Sequence, residues 1–487
     1  MSQTETSAPR SAHPVAAVVA LCFGGLAAAL TQTMVIPIQG ELPQLLDSTA
    51  ADTAWVVTIT LLCAAVTMPI SGRVADMVGK QRVLVASAVL LLVSSVVCAL
   101  SSSLLPMLVG RGMQGMAMGF IPVGIALLRE IVPPRMAGSA VAAMSATLGV
   151  GGAIGLPLSA WIVQAGNWHA LFWVSAAVAA AVLVAIVALV PHVHDAHPAH
   201  FDVAGAVGLA LGLSLFLVGL SKASTWGWAS GRTIGCVVAG LAVLVAWAVL
   251  ELRTAEPLVD LRSASRLPVL LTNVAAVAIG MGMMAQAIVI PQLLQLPDVL
   301  DYGLGQTILQ AGLWMAPGGL MMLLFAPVSS RLMSTLGPRT TLMIGATVLG
   351  LGYVVTFFLM GEAWHLMIGT LVISIGVGIG YAAMPTLVLD HTPVREAGSA
   401  VGVNTLMRSL GTTIASALMA TVLTSDTQPL GPVSVPTESA FQLCFVISAI
   451  AAFVGVAVAA TIPRGSRTAE QGPEQDVAEP VAGAQVD

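Results

Sequence analysis

Charge is what this sequence has least of. Asp, Glu, Lys and Arg make up 8% of its 487 residues and apolar residues 57%, for a mean hydropathy of +0.94. A soluble domain carries far more polar surface than that, so an ordinary soluble fold is excluded. Cysteine is sparse too. Cys22, Cys63, Cys98, Cys236 and Cys444 all fall within or beside apolar runs, which reads as buried thiols rather than a disulfide framework. Strand-like alternation is missing, and a membrane β-barrel needs it. Residues 72–80 place Gly79-Lys80 after Gly72, but Gln81 follows where a phosphate-binding loop has Ser or Thr, so no ATP-driven pump is expected. Nor does any Asp or Glu fall near the middle of an apolar run.

What the sequence does have is apolar runs, one after another. A helix needs about 20 mostly apolar residues to cross the hydrocarbon of a bilayer, and backbone groups in lipid must pair within the segment. Fourteen helices are expected, at 15–38, 53–72, 83–101, 104–127, 137–163, 169–190, 203–221, 232–251, 268–291, 307–330, 340–360, 364–386, 399–424 and 438–462. The polar start, "MSQTETSAPRSAHP", is not followed by a small-residue cleavage site, so no cleavable signal peptide is expected. With both termini on the cytoplasmic side, fourteen Lys and Arg residues lie in inner connections and only Lys222 and Arg232 in outer ones. That asymmetry sets the orientation. Residues 1–14 form a cytoplasmic N-tail, and 463–487 an acidic tail whose composition predicts disorder. The segment "PHVHDAHPAHFD" (191–202) has four histidines and two aspartates. Its spacing suits a metal, but it reads better as a cytoplasmic linker with incidental histidines. No metal, cofactor or nucleic-acid partner is expected.

The chain repeats itself. "REIVPPRMAGSAV" (129–141) returns as "DHTPVREAGSAV" (390–401), "GRVADMVGKQRVL" (72–84) as "SRLMSTLGPRTTL" (330–342), and "VIPIQGELP" (35–43) as "VIPQLLQLP" (289–297). Three echoes in one order at nearly one offset indicate duplication. Two six-helix halves, 15–190 and 268–462, then flank an extra pair of helices at 203–251. Repeats of this kind place a substrate path between the halves near the bilayer midplane.

The stretch 72–84 crowds four charges into thirteen residues, in the connection between helices two and three. "GRVADMVGKQR" resembles the Gly-x-x-x-Asp-x-x-Gly-Arg/Lys-x-Arg signature of the major facilitator superfamily, and the fourteen-helix count with a central pair resembles its drug:proton antiporter branch. The resemblance covers residues 15–462. It implies an all-α polytopic major facilitator fold in which Gly72, Asp76, Gly79, Lys80 and Arg82 form a conformational latch. Asp76 would meet the positive end of a neighbouring helix or an arginine. A solvated loop that merely fixes orientation is the alternative. Arg111, Gln114 and Gly115 in "LVGRGMQGMAMG" (108–119) resemble the family's fourth-helix Arg-x-x-Gln-Gly element, which implies a part in proton transfer. The alternative is an arginine bonded to backbone carbonyls. An intramembrane cation is costly enough to need one of these explanations. Helix five, "LGVGGAIGLPLSAW" (148–161), resembles the antiporter motif in Gly151, Gly155 and Pro157 but lacks its final glycine pair, and plain small-residue packing accounts for it as well.

One departure bears on coupling. Relatives often carry an aspartate in helix one before a Thr, and here "AALTQTMVIP" supplies Thr31 and Gln32 instead. Glu41, at the outer end of helix one, is left as the candidate proton carrier. It would pair with Arg111 if helix one continues through residue 41. The expected activity is proton-driven export of hydrophobic small molecules, multidrug efflux, with Gln32, Asn273, Gln286, Gln310, Trp314 and Asn404 as candidate cavity contacts. Without a central carboxylate, no strict preference for cations is expected. An exporter of an endogenous metabolite, antibiotic or lipid, an importer, and a non-transporting membrane sensor remain as other readings. No enzymatic chemistry is indicated. A monomer is expected, and Arg outnumbers Lys sixteen to two, which suggests a GC-rich bacterial source and hence the bacterial plasma membrane.

Overall fold

The computed structural model describes residues 14–39, 41–164, 167–192, 200–430 and 433–463. Fourteen helices among them are long and apolar enough to cross a membrane. The first six are α1 (Pro14–Thr33), α2 (Trp55–Val78), α3 (Lys80–Ala99), α4 (Leu104–Ile131), α5 (Pro134–Val163) and α6 (His169–Leu189). The central pair is α7 (Val203–Ser221) and α8 (Gly231–Arg253). The last six are α9 (Leu267–Gln295), α10 (Ile308–Leu336), α11 (Pro338–Phe358), α12 (Ala363–Asp390), α13 (Ala397–Ser425) and α14 (Glu438–Thr461). A short antiparallel hairpin, β1 (Thr427–Leu430) with β2 (Val433–Pro436), joins α13 to α14. Nothing in the alternation of the sequence pointed to it.

The end of the bundle that carries Arg73, Lys80, Arg129, Arg262 and Arg339 is called the basic end below. Helices α1–α6 pack among themselves, as do α9–α14. The two groups meet along two seams, α2 against α13 and α5 against α10. In lipid no hydrophobic force drives helices together, so close backbone approach has to supply the attraction. The seams show it. On the α5–α10 seam, Gly312 seats Pro157, Gly149 seats Met322 and Gly138 lies against Ser330. On the other, Gly72 faces the Gly398 backbone and Gly402 faces Met68 and Pro69. Helix α7 leans on both α2 and α13, and α8 packs on α7 with Val238, Leu241 and Val245 turned outward.

Two expectations need correction. Residues 72–84 are not a loop: α2 runs to Val78, α3 begins at Lys80, and Gly79 alone makes the joint. Its φ of 102° is open to glycine and strained for other residues. The counterpart joint between α10 and α11 is also one glycine, Gly337, at φ 85°. Helix one, in turn, stops at Thr33 rather than 38, and a 3-10 turn at Ile36–Ile38 turns the chain away at Pro37.

Candidate functional site

Asp76 lies in the last turn of α2 and is 2% exposed. It faces the first turn of α13 across the seam. Its Oδ1 accepts from the Gly398 amide at 3.1 Å and its Oδ2 from the Ser399 amide at 3.0 Å. The first amides of a helix have no partner within it, and the residue preceding α13, Glu396, gives no side-chain cap. A carboxylate supplied by another helix fills that gap and meets the positive end of the helix dipole. Gly72 and Gly398 make the approach possible. A Cβ on Gly72 would run into the Gly398 carbonyl, and one on Gly398 would stand 2.7 Å from the Gly72 carbonyl and 2.8 Å from Asp76 Oδ1.

Lys80, 5% exposed, opens α3 and binds Asp76 at 3.4 Å and Glu130 at 2.7 Å. The pairs keep the buried Asp76 and Lys80 and the half-buried Glu130 from standing alone, which would be far more costly. A second link between the two groups, Arg129 to Asp390 at 2.9 Å, sits exposed beside it. Arg82 is not part of the cluster. Its side chain is exposed and reaches back to the Val78 carbonyl at 3.4 Å, because two further residues of helical rotation beyond Lys80 turn it out of the seam. Glu130, Gly398 and Ser399 are members the sequence reading missed, although all three lie inside the repeated segments 129–141 and 390–401. In the second group, Ser334 stands where Asp76 would and bonds only to Arg331 of its own helix.

Arg111, on α4, is fully buried. Its Nε donates to the Val56 carbonyl at 3.2 Å, and its Nη1 to the Thr31 carbonyl at 3.0 Å and to Gln114 Oε1 at 2.6 Å. Gln114 passes the link to Ser95 Oγ at 3.2 Å. One guanidinium therefore ties α1, α2 and α3 to α4, and the Thr31 carbonyl it takes belongs to the last turn of α1, where the dipole favours a cation. Its Nη2 has no partner among the described residues. The expected pairing with Glu41 is not formed. Because α1 ends at Thr33, Glu41 falls outside it, exposed at the start of the short helix Leu42–Leu45. No ion pair joins it to Arg111 among the described residues.

Between the two groups lies a cavity of about 180 Å³, lined by α1, α5, α9, α10 and α12. Met283, Met315 and Met322 form flexible walls, and no charged residue lines it. Thr33, Gln286 and Ser374 are its polar side chains. Gln286 Nε2 donates to Ser374 Oγ at 2.9 Å, and its backbone N–H donates to the Tyr353 hydroxyl at 3.1 Å. Of the six amide and aromatic residues expected to line the path, Gln286 does so. Gln310 is exposed and completes a capping box with Thr307 at the start of α10, since its place at the third residue of the helix commits it to the orphan amides there. Trp314 donates to Gln306 at 2.9 Å, and Asn404 to Asn273 at 3.0 Å, toward the basic end. Gln32 is half-buried and off the cavity wall. In α5, Gly151 seats Ala29 and Gly155 seats Thr33, so these glycines hold α1 close while Pro157 sits on the α10 seam. The histidines and aspartate of segment 193–199 lie outside the described residues.

The profile of the Major Facilitator Superfamily matches residues 21–416 and again residues 272–483. The chain belongs to the major facilitator superfamily. It is similar to a multidrug resistance protein B homolog of Mycobacterium tuberculosis, with 27% identity over 77% of this chain and 70% of that protein. It is also similar to a tetracenomycin C resistance and export protein of Streptomyces glaucescens, with 26% identity over 85% of this chain and 76% of that protein. Among solved structures, the human organic anion transporter MFSD10 superposes with a TM-score of 0.65 at 15% identity, covering 92% of this chain and 99% of that one. The proton:xylose symporter XylE does so with 0.65 at 13%, covering 93% and 96%. These two share the fold. The major facilitator chain described here is thus a multi-pass membrane transporter and not an enzyme.

Proposed function

We propose that the protein exports uncharged or weakly charged hydrophobic small molecules from a bacterial cell in exchange for protons. The basic end faces the cytoplasm, as the Lys and Arg asymmetry supports. The latch Gly72–Asp76–Lys80 on α13 then closes the inner gate, and the structure corresponds to a state with the cytoplasmic end shut. Breaking the Asp76 cap allows the two groups to rock and the cavity to open inward. The observation that carries the substrate class is the cavity wall: three methionines from α9 and α10, one amide, and no charge to compensate a desolvated ion. Names of relatives such as the tetracenomycin C exporter support a self-made antibiotic as one natural cargo. Arg111 is the element we assign to proton coupling, acting through Gln114 and its free Nη2 rather than through Glu41.

The test is transport by purified protein in liposomes under an imposed pH gradient, with matched neutral, cationic and anionic dyes. Accumulation of neutral dye against its gradient, abolished by a protonophore, is expected. Transport confined to cations, or indifferent to the pH gradient, overturns this reading.

A further inference from the structure

At the basic end of the central pair, two carboxylates face each other. Asp202 caps α7, with Oδ1 accepting from the Gly205 amide at 2.7 Å. Glu251 sits in the last turn of α8, 2% exposed. Asp202 Oδ2 and Glu251 Oε1 are both buried, and among the described residues neither has a hydrogen-bond partner. They share one small space, for a Cβ on Gly205 would collide with each of them. The indole N–H of Trp247 stands by the Glu251 carboxylate without closing a hydrogen bond. Among the described residues no ion pair reaches either carboxylate. Arg253 is turned to the exterior, Arg262 donates to the Leu252 carbonyl, Glu256 pairs with His200, and Asp260 caps the turn at Leu261–Ala264.

We propose that Glu251 and Asp202 form a proton-binding site that holds the latch shut while it is loaded. One proton placed between Oε1 and Oδ2 satisfies both orphan oxygens with a single hydrogen bond. A metal cation would need several more oxygens, and no group of metal-ligating side chains occurs among the described residues. The proton belongs on Glu251, because the C-terminal dipole of α8 disfavours an anion there while the N-terminus of α7 favours the Asp202 anion.

The route to the latch is short. Glu251 Oε2 accepts from the Val259 amide at 3.4 Å, the neighbouring Leu258 carbonyl accepts from Ser399 Oγ at 3.4 Å, and the Ser399 amide is one of the two donors to Asp76. Loss of the proton sets two buried anions against each other. The ends of α7 and α8 part, the segment 254–260 moves with Glu251, and Ser399 loses its support. The shut state binds the proton more tightly, so by linkage it is favoured at low pH and lost as pH rises through the site's titration. On the cytoplasmic side this is a brake. A transporter that admits protons closes when the cytoplasm is already acid. The inference rests on the latch reading given above.

Hydrogen exchange at the Gly398 and Ser399 amides reads the latch directly. It is followed by mass spectrometry on the full-length protein from pH 5.5 to 8.5 and corrected for intrinsic exchange. In the wild type, protection should fall about tenfold across the range, as expected if roughly one pK unit of the carboxylate repulsion reaches the latch. Glu251→Gln, isosteric and unable to ionise, should keep its protection throughout. Asp202→Asn, whose amide can donate to Glu251, should do the same and serves if Glu251→Gln does not fold. Identical pH profiles in the wild type and a folded variant overturn the proposal. A profile that follows sodium at constant pH overturns the proton as ligand. Asp76→Asn must lose protection at every pH. If it does not, the latch reading fails by itself, whatever Glu251 does.

Discussion

Replacing Asp76 with Asn changes one oxygen into an amide nitrogen and removes one charge. In the structure the carboxylate serves two donors at once, the amides of Gly398 and Ser399, at 3.1 and 3.0 Å. Asparagine has one acceptor oxygen, so one helix-end amide must then face another donor. A buried donor left unsatisfied costs about 1–3 kcal/mol, and the lost interaction with the start of α13 adds roughly 0.3–1 kcal/mol. Lys80 keeps Glu130 and is not stranded. The shut state should therefore lose about 1.3–4 kcal/mol relative to the open one, a shift of roughly 10–900-fold in their ratio. Insertion and folding should survive, because within α1–α6 the change loses only the 3.4 Å pair with Lys80, which keeps its 2.7 Å pair with Glu130. Efflux of a fluorescent substrate should fall close to background, and a cysteine placed in the seam at the basic end should become reactive from the cytoplasmic side. Ser334→Ala is the control. Its hydroxyl bonds only within α10, so activity should be unchanged. A well-expressed Asp76→Asn protein with wild-type efflux and an unreactive seam would refute the reasoning.

Gly72→Ala puts a methyl against the Gly398 carbonyl, a backbone group that cannot swing aside. Overpacking of about 1–3 kcal/mol should open the seam with Asp76 intact, seen as reduced efflux and the same gain in cysteine reactivity. Arg111→Lys retains the charge but loses the planar fork that reaches Thr31, Val56 and Gln114 together. Efflux should drop at least about tenfold and the melting temperature in detergent should fall, since buried carbonyls lose donors. Gln286→Glu places a carboxylate in a cavity that has no charge. Transport competition should shift from neutral compounds toward lipophilic cations, and an unchanged preference would show that Gln286 is not a substrate contact.

Much of the architecture was legible because lipid permits so few solutions. Fourteen apolar runs became fourteen helices, and α7 was placed to the residue. The errors fall where local chemistry overrides hydropathy. Polar residues such as Arg73 and Asp76 read as the end of α2, yet the helix continues through them to Gly79, with Asp76 bonded across the seam to the Gly398 and Ser399 amides instead of solvated. Helix α1 read as too long because the apolar residues after Thr33 are used in a 3-10 turn. That error carried the Glu41–Arg111 pairing with it. The latch residues could be named from one stretch, but not their partners. Gly398 and Ser399 lie 322 and 323 residues away from Asp76, and only the repeated Ala-Gly-Ser-Ala-Val segment hinted that they mattered. Glu251 gave no signal, since an acid at the end of an apolar run reads as solvated until the loop folds over it.

The two seams differ in kind, and the difference suits a rocking motion. Along α5–α10 the groups touch through glycine against Met322, Pro157 and Ser330. Van der Waals contact of this sort is non-directional, and its energy changes gradually as surfaces slide, so that seam can act as a pivot without a barrier of its own. The α2–α13 seam adds directional bonds at the basic end, two amides to one carboxylate, which weaken steeply once distance and angle are lost. A gate needs that behaviour, because a contact that fails within a small displacement gives two states rather than a continuum. The duplicated chain supplied both seams from one ancestor, with matching glycine joints at Gly79 and Gly337, and they have diverged in the charge they carry: Asp76 and Lys80 are matched by Ser334 and Pro338. Asp76 was kept where Ser334 stands in the copy. Charge sits in the stretch 72–84 because there one anion can be buried against a helix end, and a latch at one seam is sufficient if the other only has to turn.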